Sequence, residues 1–299
     1  MNNIVGHKEV IDNLKSIIKS GKISNAYLFC GVNGIGKFQV AKEFAKAILC
    51  SNPIEGVCCG ECDSCKTFLS SSDIVTLESE EGVIKVDAIR SLCKEIMLKP
   101  TISNRRVFII NDADLMNDSS QNALLKSLEE PPKYATIILV ASNKSMLKKT
   151  ILSRCVTINF QPLSKDELKE VANQNNIVIN DMALDYCNGS FGKLISLLNC
   201  NYLDYLEDLE KTIDIGNLVA LNKSLTNIKK LKTIKEDIDD ILCLLIKRLS
   251  QTIDANYNKR ISQIGIIEEV RNNINRNANL EDSLDYMIIR LWEESKRRN

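Results

Sequence analysis

From Lys8 to Lys19, apolar residues recur at helical spacing (Val10, Ile11, Leu14, Ile17 and Ile18), and Gly21 follows as a stop. The run Ala26–Cys30 is short, continuous and apolar, as expected of a strand buried on both faces. A second helical pattern runs from Gly36 to about Cys50, with Val40, Ala41, Phe44, Ala45, Ile48 and Leu49 on its inner face. Further strand-sized runs at 74–77, 107–111, 136–141 and 156–160 alternate with helical stretches at 86–98 and 118–130. Asp118 with Gln121 predicts a capping box at the start of the last of these helices, and Ser164 with Glu167 predicts another. After Gln161-Pro162 the strand pattern stops and the chain reads as helix to its end, including 242–249 and 283–294.

This order predicts an α/β domain with a parallel sheet and helices on both faces, followed by two all-α domains. The expected boundaries are 1–162 for the α/β part, with a cysteine module inserted at about 50–65, then 163–205 and 206–299.

The loop between the first strand and the second helix carries the first chemical signal. Gly31-Val-Asn-Gly34-Ile-Gly36-Lys37-Phe38 follows the phosphate-loop pattern G-x-x-x-x-G-K-[ST] up to its final position. Backbone N–H groups of such a loop face the phosphates, the lysine reaches the β/γ oxygens, and the terminal hydroxyl ligates Mg²⁺. Phe38 has no hydroxyl to offer, so ATP binding by this chain is doubtful. A second deficit stands at the end of the 107–111 run. An ATPase of this architecture needs an Asp-Glu pair there, for the metal and the attacking water, and this chain has Asn111 and Asp112.

Cysteine usage adds a second centre. Cys50, Cys59, Cys62 and Cys65 are spaced C-x8-C-x2-C-x2-C, close enough to wrap one tetrahedral Zn²⁺. The segment between them is too polar to be core, and four thiolates leave no open position, so the expected role is structural. Cys58 leaves the register open, although only Cys59 keeps both two-residue gaps. The other six cysteines (30, 93, 155, 187, 200 and 243) are expected mostly in the core.

Lysine plus arginine and aspartate plus glutamate are equal at 39 each. A free-standing DNA binder shows a basic excess, so the balance favours protein partners. The basic run at 296–298 reads as a solvated helix end. The longest apolar runs fall far short of a membrane span, and the N-terminus has no signal-peptide core. The expectation is a cytoplasmic protein with no membrane association.

Taken together, Ser24–Lys37, the four cysteines, Asn122–Pro132 (NALLKSLEEPP) and Ile151–Cys155 (ILSRC) resemble the bacterial clamp-loader ATPase group of the AAA+ superfamily. Within that group the deficits at Phe38 and Asn111 are similar to those of the δ′ type of DNA polymerase III subunit. Gly192, where hydrolysing members carry a sensor arginine, is a third. The resemblance implies a non-hydrolysing member of a five-subunit ring, with γ/τ and δ subunits as partners and the sliding clamp and primed DNA reached through the complex. It also implies that Arg154 projects as an arginine finger toward a neighbour's ATP, and that the C-terminal helices form a collar. Two other functions compete: an ATP-hydrolysing γ/τ-like subunit, and a zinc-dependent nucleic-acid-binding module.

Overall fold

The computed structural model of the chain describes residues 1, 4–79, 82–179, 181–199, 202–230, 235–251, 257–276 and 278–296. These residues divide into two compact units, 1–194 and 195–299. The expectations placed on Cys200 and on Arg297 and Arg298 lie outside the described residues.

The first unit begins with α1 (Lys8–Ser20), β1 (Ala26–Cys30) and α2 (Lys37–Leu49), then a short α3 (Asp63–Lys66). It continues through β2 (Ile74–Leu77), α4 (Val86–Ile96), β3 (Arg106–Ile110), α5 (Asp118–Glu129), β4 (Ala135–Ala141), α6 (Lys149–Leu152) and β5 (Val156–Asn159). All strand pairings are parallel, in the order β2-β3-β4-β1-β5. The three inner strands β1, β3 and β4 are buried along their whole length, whereas β5 at the edge buries one residue of four. That difference explains why the inner strands read as continuous apolar runs.

Strand periodicity divides the core into two layers. Tyr27, Phe29, Val107, Ile109, Ile138 and Val140 face α1 and α2, where Leu14, Val40, Ala41 and Phe44 meet them. The intervening residues Leu28, Phe108, Ile110, Ile137 and Leu139 face the opposite side, against Ile89 and Leu92 of α4 and Leu124 and Leu128 of α5. Burial of each such large side chain contributes about 1.5–3 kcal/mol. Because β1 lies between β4 and β5, the connection after it leaves for the far edge, and the loop following β1 opens at the switch point of the sheet.

One expected cap is corrected. The cap of α5 is Asn117, whose side chain accepts from the Ser120 N–H, not Asp118. Gln121 is buried and instead donates to the carbonyls of Met116 and Met146 and accepts from the Lys148 N–H. The Ser164–Glu167 box is present as expected, at the start of α7 (Lys165–Gln174).

Asp73, fully buried before β2, holds the chain after α4. Its carboxylate accepts from the N–H groups of Thr101, Ile102 and Ser103 at 2.7–2.8 Å and from the Thr101 hydroxyl at 3.0 Å. Burial disfavours the charge, but these donors outweigh it and hold the pKa below the ordinary carboxylate value. With the folded pKa depressed, this stabilisation is complete above about pH 4 and is lost as the pH falls through the folded value. Asp73→Asn is expected to lower unfolding free energy by about 1–3 kcal/mol at neutral pH. Urea denaturation should show this gap closing in acid.

The described residues that follow form helices: α8 (Asp181–Tyr186), α9 (Phe191–Asn199), α10 (Tyr202–Ile215), α11 (Leu218–Lys230), α12 (Lys235–Gln251), α13 (Tyr257–Asn275) and α14 (Leu280–Lys296). The second unit is built on Leu206, Leu209, Ile241, Leu245, Ile267, Val270, Met287 and Leu291, all buried. Arg271 forks onto Asp239 with hydrogen bonds of 2.6 and 3.0 Å, tying α13 to α12. No described helix is long and apolar enough to cross a membrane.

Candidate functional site

The glycine loop joins the carboxyl end of β1 to the start of α2, the context a phosphate loop requires. Lys37 is buried, and its ammonium donates to the carbonyls of Gly31 and Val32, both at 2.7 Å, and to Ser142 Oγ at 3.4 Å. Burial pushes the Lys37 pKa down, opposed by Asp114, the Cys30 thiol and Asp112. Phe38 is half-buried and packs against the core layer under α2, with the Lys42 ammonium 4.0 Å from its ring centroid. The residue in the metal-binding position is therefore part of the hydrophobic packing.

Beside the loop, Asn111 and Asp112 follow β3. The Asn111 amide donates to Asp112 Oδ2 at 3.1 Å, and Asp112 adopts a left-handed backbone at φ 50°. Burial raises the Asp112 pKa, and Asp114 adds to the shift while Lys37 opposes it. Asp114 accepts from the N–H groups of Ser142 and Asn143, at 3.1 and 2.9 Å. Neither Asp114 nor Ser142 was singled out in the sequence, although Ser142 follows directly on β4 and Asp114 stands in the short turn after Asn111 and Asp112 at the end of neighbouring β3.

The segment entering α9 closes on the same loop. Gly192 N–H donates to the Gly34 carbonyl at 2.9 Å, and Ser190 Oγ donates to the Asn33 carbonyl at 2.7 Å. A Cβ on Gly192 would lie 2.9 Å from Gly34 Cα, and a Cβ on Gly34, where φ is 73°, would lie 2.5 Å from Ser190 Oγ. Backbone touches backbone here, so the absence of a side chain at 192 is a packing requirement.

Arg154 follows α6, on the far side of the sheet from α2. Its guanidinium donates to Glu129 Oε1 at 2.6 Å and to the Thr150 carbonyl at 2.8 Å, and its side chain is one-third exposed. Structure and motif thus place the arginine at the surface, apart from the glycine loop.

The cysteines converge as their spacing predicts. Sγ atoms of Cys50, Cys59, Cys62 and Cys65 all lie within 4.8 Å of one another, with Cys50–Cys59 at 3.5 Å and Cys50–Cys62 at 3.9 Å. A tetrahedral zinc–thiolate centre with Zn–S bonds of about 2.3 Å needs sulfur separations of about 3.8 Å, so the donor set fits. Cys59, not Cys58, joins the cluster. Cys50 ends α2 and Cys62 precedes α3; between them the turn at Glu55-Gly56, closed by the Ile54–Val57 bridge, reverses the chain. That turn is seated on α1, where a Cβ on Gly56 would lie 2.5 Å from the Lys15 carbonyl oxygen. Burial opposes ionisation of Cys62, but the Ser51 and Cys65 N–H groups and the neighbouring thiols outweigh it and bring its pKa down to about 6. Of the other described cysteines, Cys30 and Cys187 are buried as expected, half-buried Cys93 and Cys155 pack against the core layer beneath α4 and α5, and Cys243 is half-buried. Burial pushes the Cys155 thiol up to about 11.

Residues 6–164 match the family described as DNA polymerase III, delta subunit. The tau/gamma subunit of DNA polymerase III from Haemophilus influenzae is 29% identical over 85% of this chain, which spans 38% of that protein. The gamma subunit from Buchnera aphidicola (of Acyrthosiphon pisum) is 28% identical over 88% of this chain and 72% of its own length. A DNA polymerase III gamma subunit-related protein from Thermotoga maritima shares the fold, with a TM-score of 0.55 at 16% identity over 96% of this chain and 99% of its own.

Proposed function

The chain belongs to the DNA polymerase III delta subunit family, and from that premise we propose that it is a non-hydrolysing clamp-loader subunit of the δ′ type. The observation that carries this reading is the state of the glycine loop. Phe38 is packed onto the core layer under α2, and Gly192 is packed against Gly34. With Phe38 in the metal position and Asn111 in the acidic motif, the parts needed for hydrolysis in cis are missing together. The fold of an ATPase then serves assembly, with Arg154 offered to the γ-phosphate of a neighbour's ATP. The partners are γ/τ and δ subunits; the sliding clamp and primed DNA are engaged through the complex. Residues 163–205 form the lid and 206–299 the collar, and Cys50, Cys59, Cys62 and Cys65 hold a structural Zn²⁺.

A second reading, an ATP-hydrolysing γ/τ-type subunit, is favoured by the retained Lys37 and by the names of the relatives. ATP turnover by the purified chain in Mg²⁺ separates the two. The expected result is none above background, with no gain from Phe38→Thr, because Asn111 and Gly192 remain. Turnover that Lys37→Ala abolishes would overturn the δ′ reading and establish the second.

A further inference from the structure

The motif Asn122–Pro132 contributes a carboxylate to which the function above gives no task. Glu129 is the last residue of α5, where helix carbonyls already concentrate negative charge, so a cation beside its carboxylate is favoured. Arg154 is that cation. One nitrogen takes Glu129 Oε1 at 2.6 Å, and the other takes the carbonyl of Thr150, in the four-residue α6, at 2.8 Å. Both partners are anionic or carry partial negative charge, as does a nucleotide γ-phosphate.

We propose that Glu129 is a positioning residue that holds Arg154 in reserve, competing in cis with the γ-phosphate the arginine is to meet in trans. This inference rests on the trans role proposed above. The Glu129 side chain is 47% and the Arg154 side chain 33% exposed, so the pair is solvent-screened and exchangeable rather than locked. A triphosphate carries more charge than one carboxylate and outcompetes it, whereas a diphosphate presents no γ-phosphate to hold the arginine. The guanidinium then returns to Glu129, and engagement becomes conditional on the nucleotide state next door.

The test is steady-state ATPase kinetics of the reconstituted clamp-loader complex carrying Glu129→Gln, with Arg154→Ala in parallel. Removing the competing charge should lower the apparent KM for ATP by about two- to fivefold, the range an exposed ion pair can supply. Turnover at saturating ATP should change less than KM. The KM difference should shrink at high salt, where the competing pair is screened in the parent complex. A purely structural ion pair would give an unchanged or raised KM, and either result overturns the latch. If Arg154→Ala depresses turnover while Glu129→Gln leaves KM where it was, the latch fails and the trans role stands. If Arg154→Ala leaves turnover unchanged, both fail together.

Discussion

Arg154→Ala in the reconstituted complex is expected to reduce hydrolysis at the adjoining ATP site by about three to five orders of magnitude, the range attributed to an arginine finger. Total turnover falls by that site's share. The variant itself should fold and assemble, because the side chain is partly exposed and its ion pair with Glu129 contributes at most about 1 kcal/mol. Arg154→Lys should recover little. A planar guanidinium presents several donors in fixed geometry, whereas an ammonium is a point charge on a flexible stem. Single-turnover measurement on the assembled complex isolates the chemical step from ring assembly. Wild-type turnover in a complex containing the alanine variant would remove Arg154 from the mechanism.

On the proposed reading this effect is large although the chain hydrolyses nothing in cis, and the fold permits that separation. The glycine loop lies between β1 and α2, in the region of Lys37, Asn111 and Gly192. Arg154 follows α6, which packs with α5 on the other face of the sheet. Losses on the first side leave the second untouched, so a nucleotide site can decay while the element presented to a neighbour is kept.

Much of this was legible in the sequence because it is local. Inner strands are buried on both faces, so their apolar runs stood out, and Phe38 and Asn111 interrupt short motifs. The cysteine gaps selected Cys59 over Cys58, the choice the fold makes. Features that depend on distant pairing were not legible. Ser190 reaches the Asn33 carbonyl across 157 residues, and no local pattern marks it. Gly192 read as a lost arginine, yet its backbone contact with Gly34 depends on how the loop folds. The α5 cap was misplaced by one residue because Asn117 and Asp118 are both good capping residues. In the fold Asn117 takes the Ser120 N–H, and Gln121 is held by the Met116 and Met146 carbonyls instead of closing a box.

Cys62→Ser should lower zinc content from the one per chain proposed above and unfold the segment between α2 and β2. Structural zinc contributes folding free energy on the order of 10 kcal/mol in small zinc modules, because the ligands are brought together only in the folded state. Here the module contains a four-residue helix and a turn seated on α1, with little apolar core of its own to replace the metal. Loss should therefore be local. Proteolysis and hydrogen exchange between residues 50 and 66 should rise sharply, while the sheet, whose core layers do not depend on the metal, stays protected. Acidification should act in the same direction, because protons compete with zinc for thiolates. The Cys62 thiol at about 6 without metal is the most readily ionised anchor at neutral pH. Four thiolates leave no coordination position for water or substrate, so ATPase chemistry of an assembled complex should change far less than with Arg154→Ala. A zinc-depleted variant with wild-type protease resistance through 50–66 would show that the cysteines pack without needing the metal.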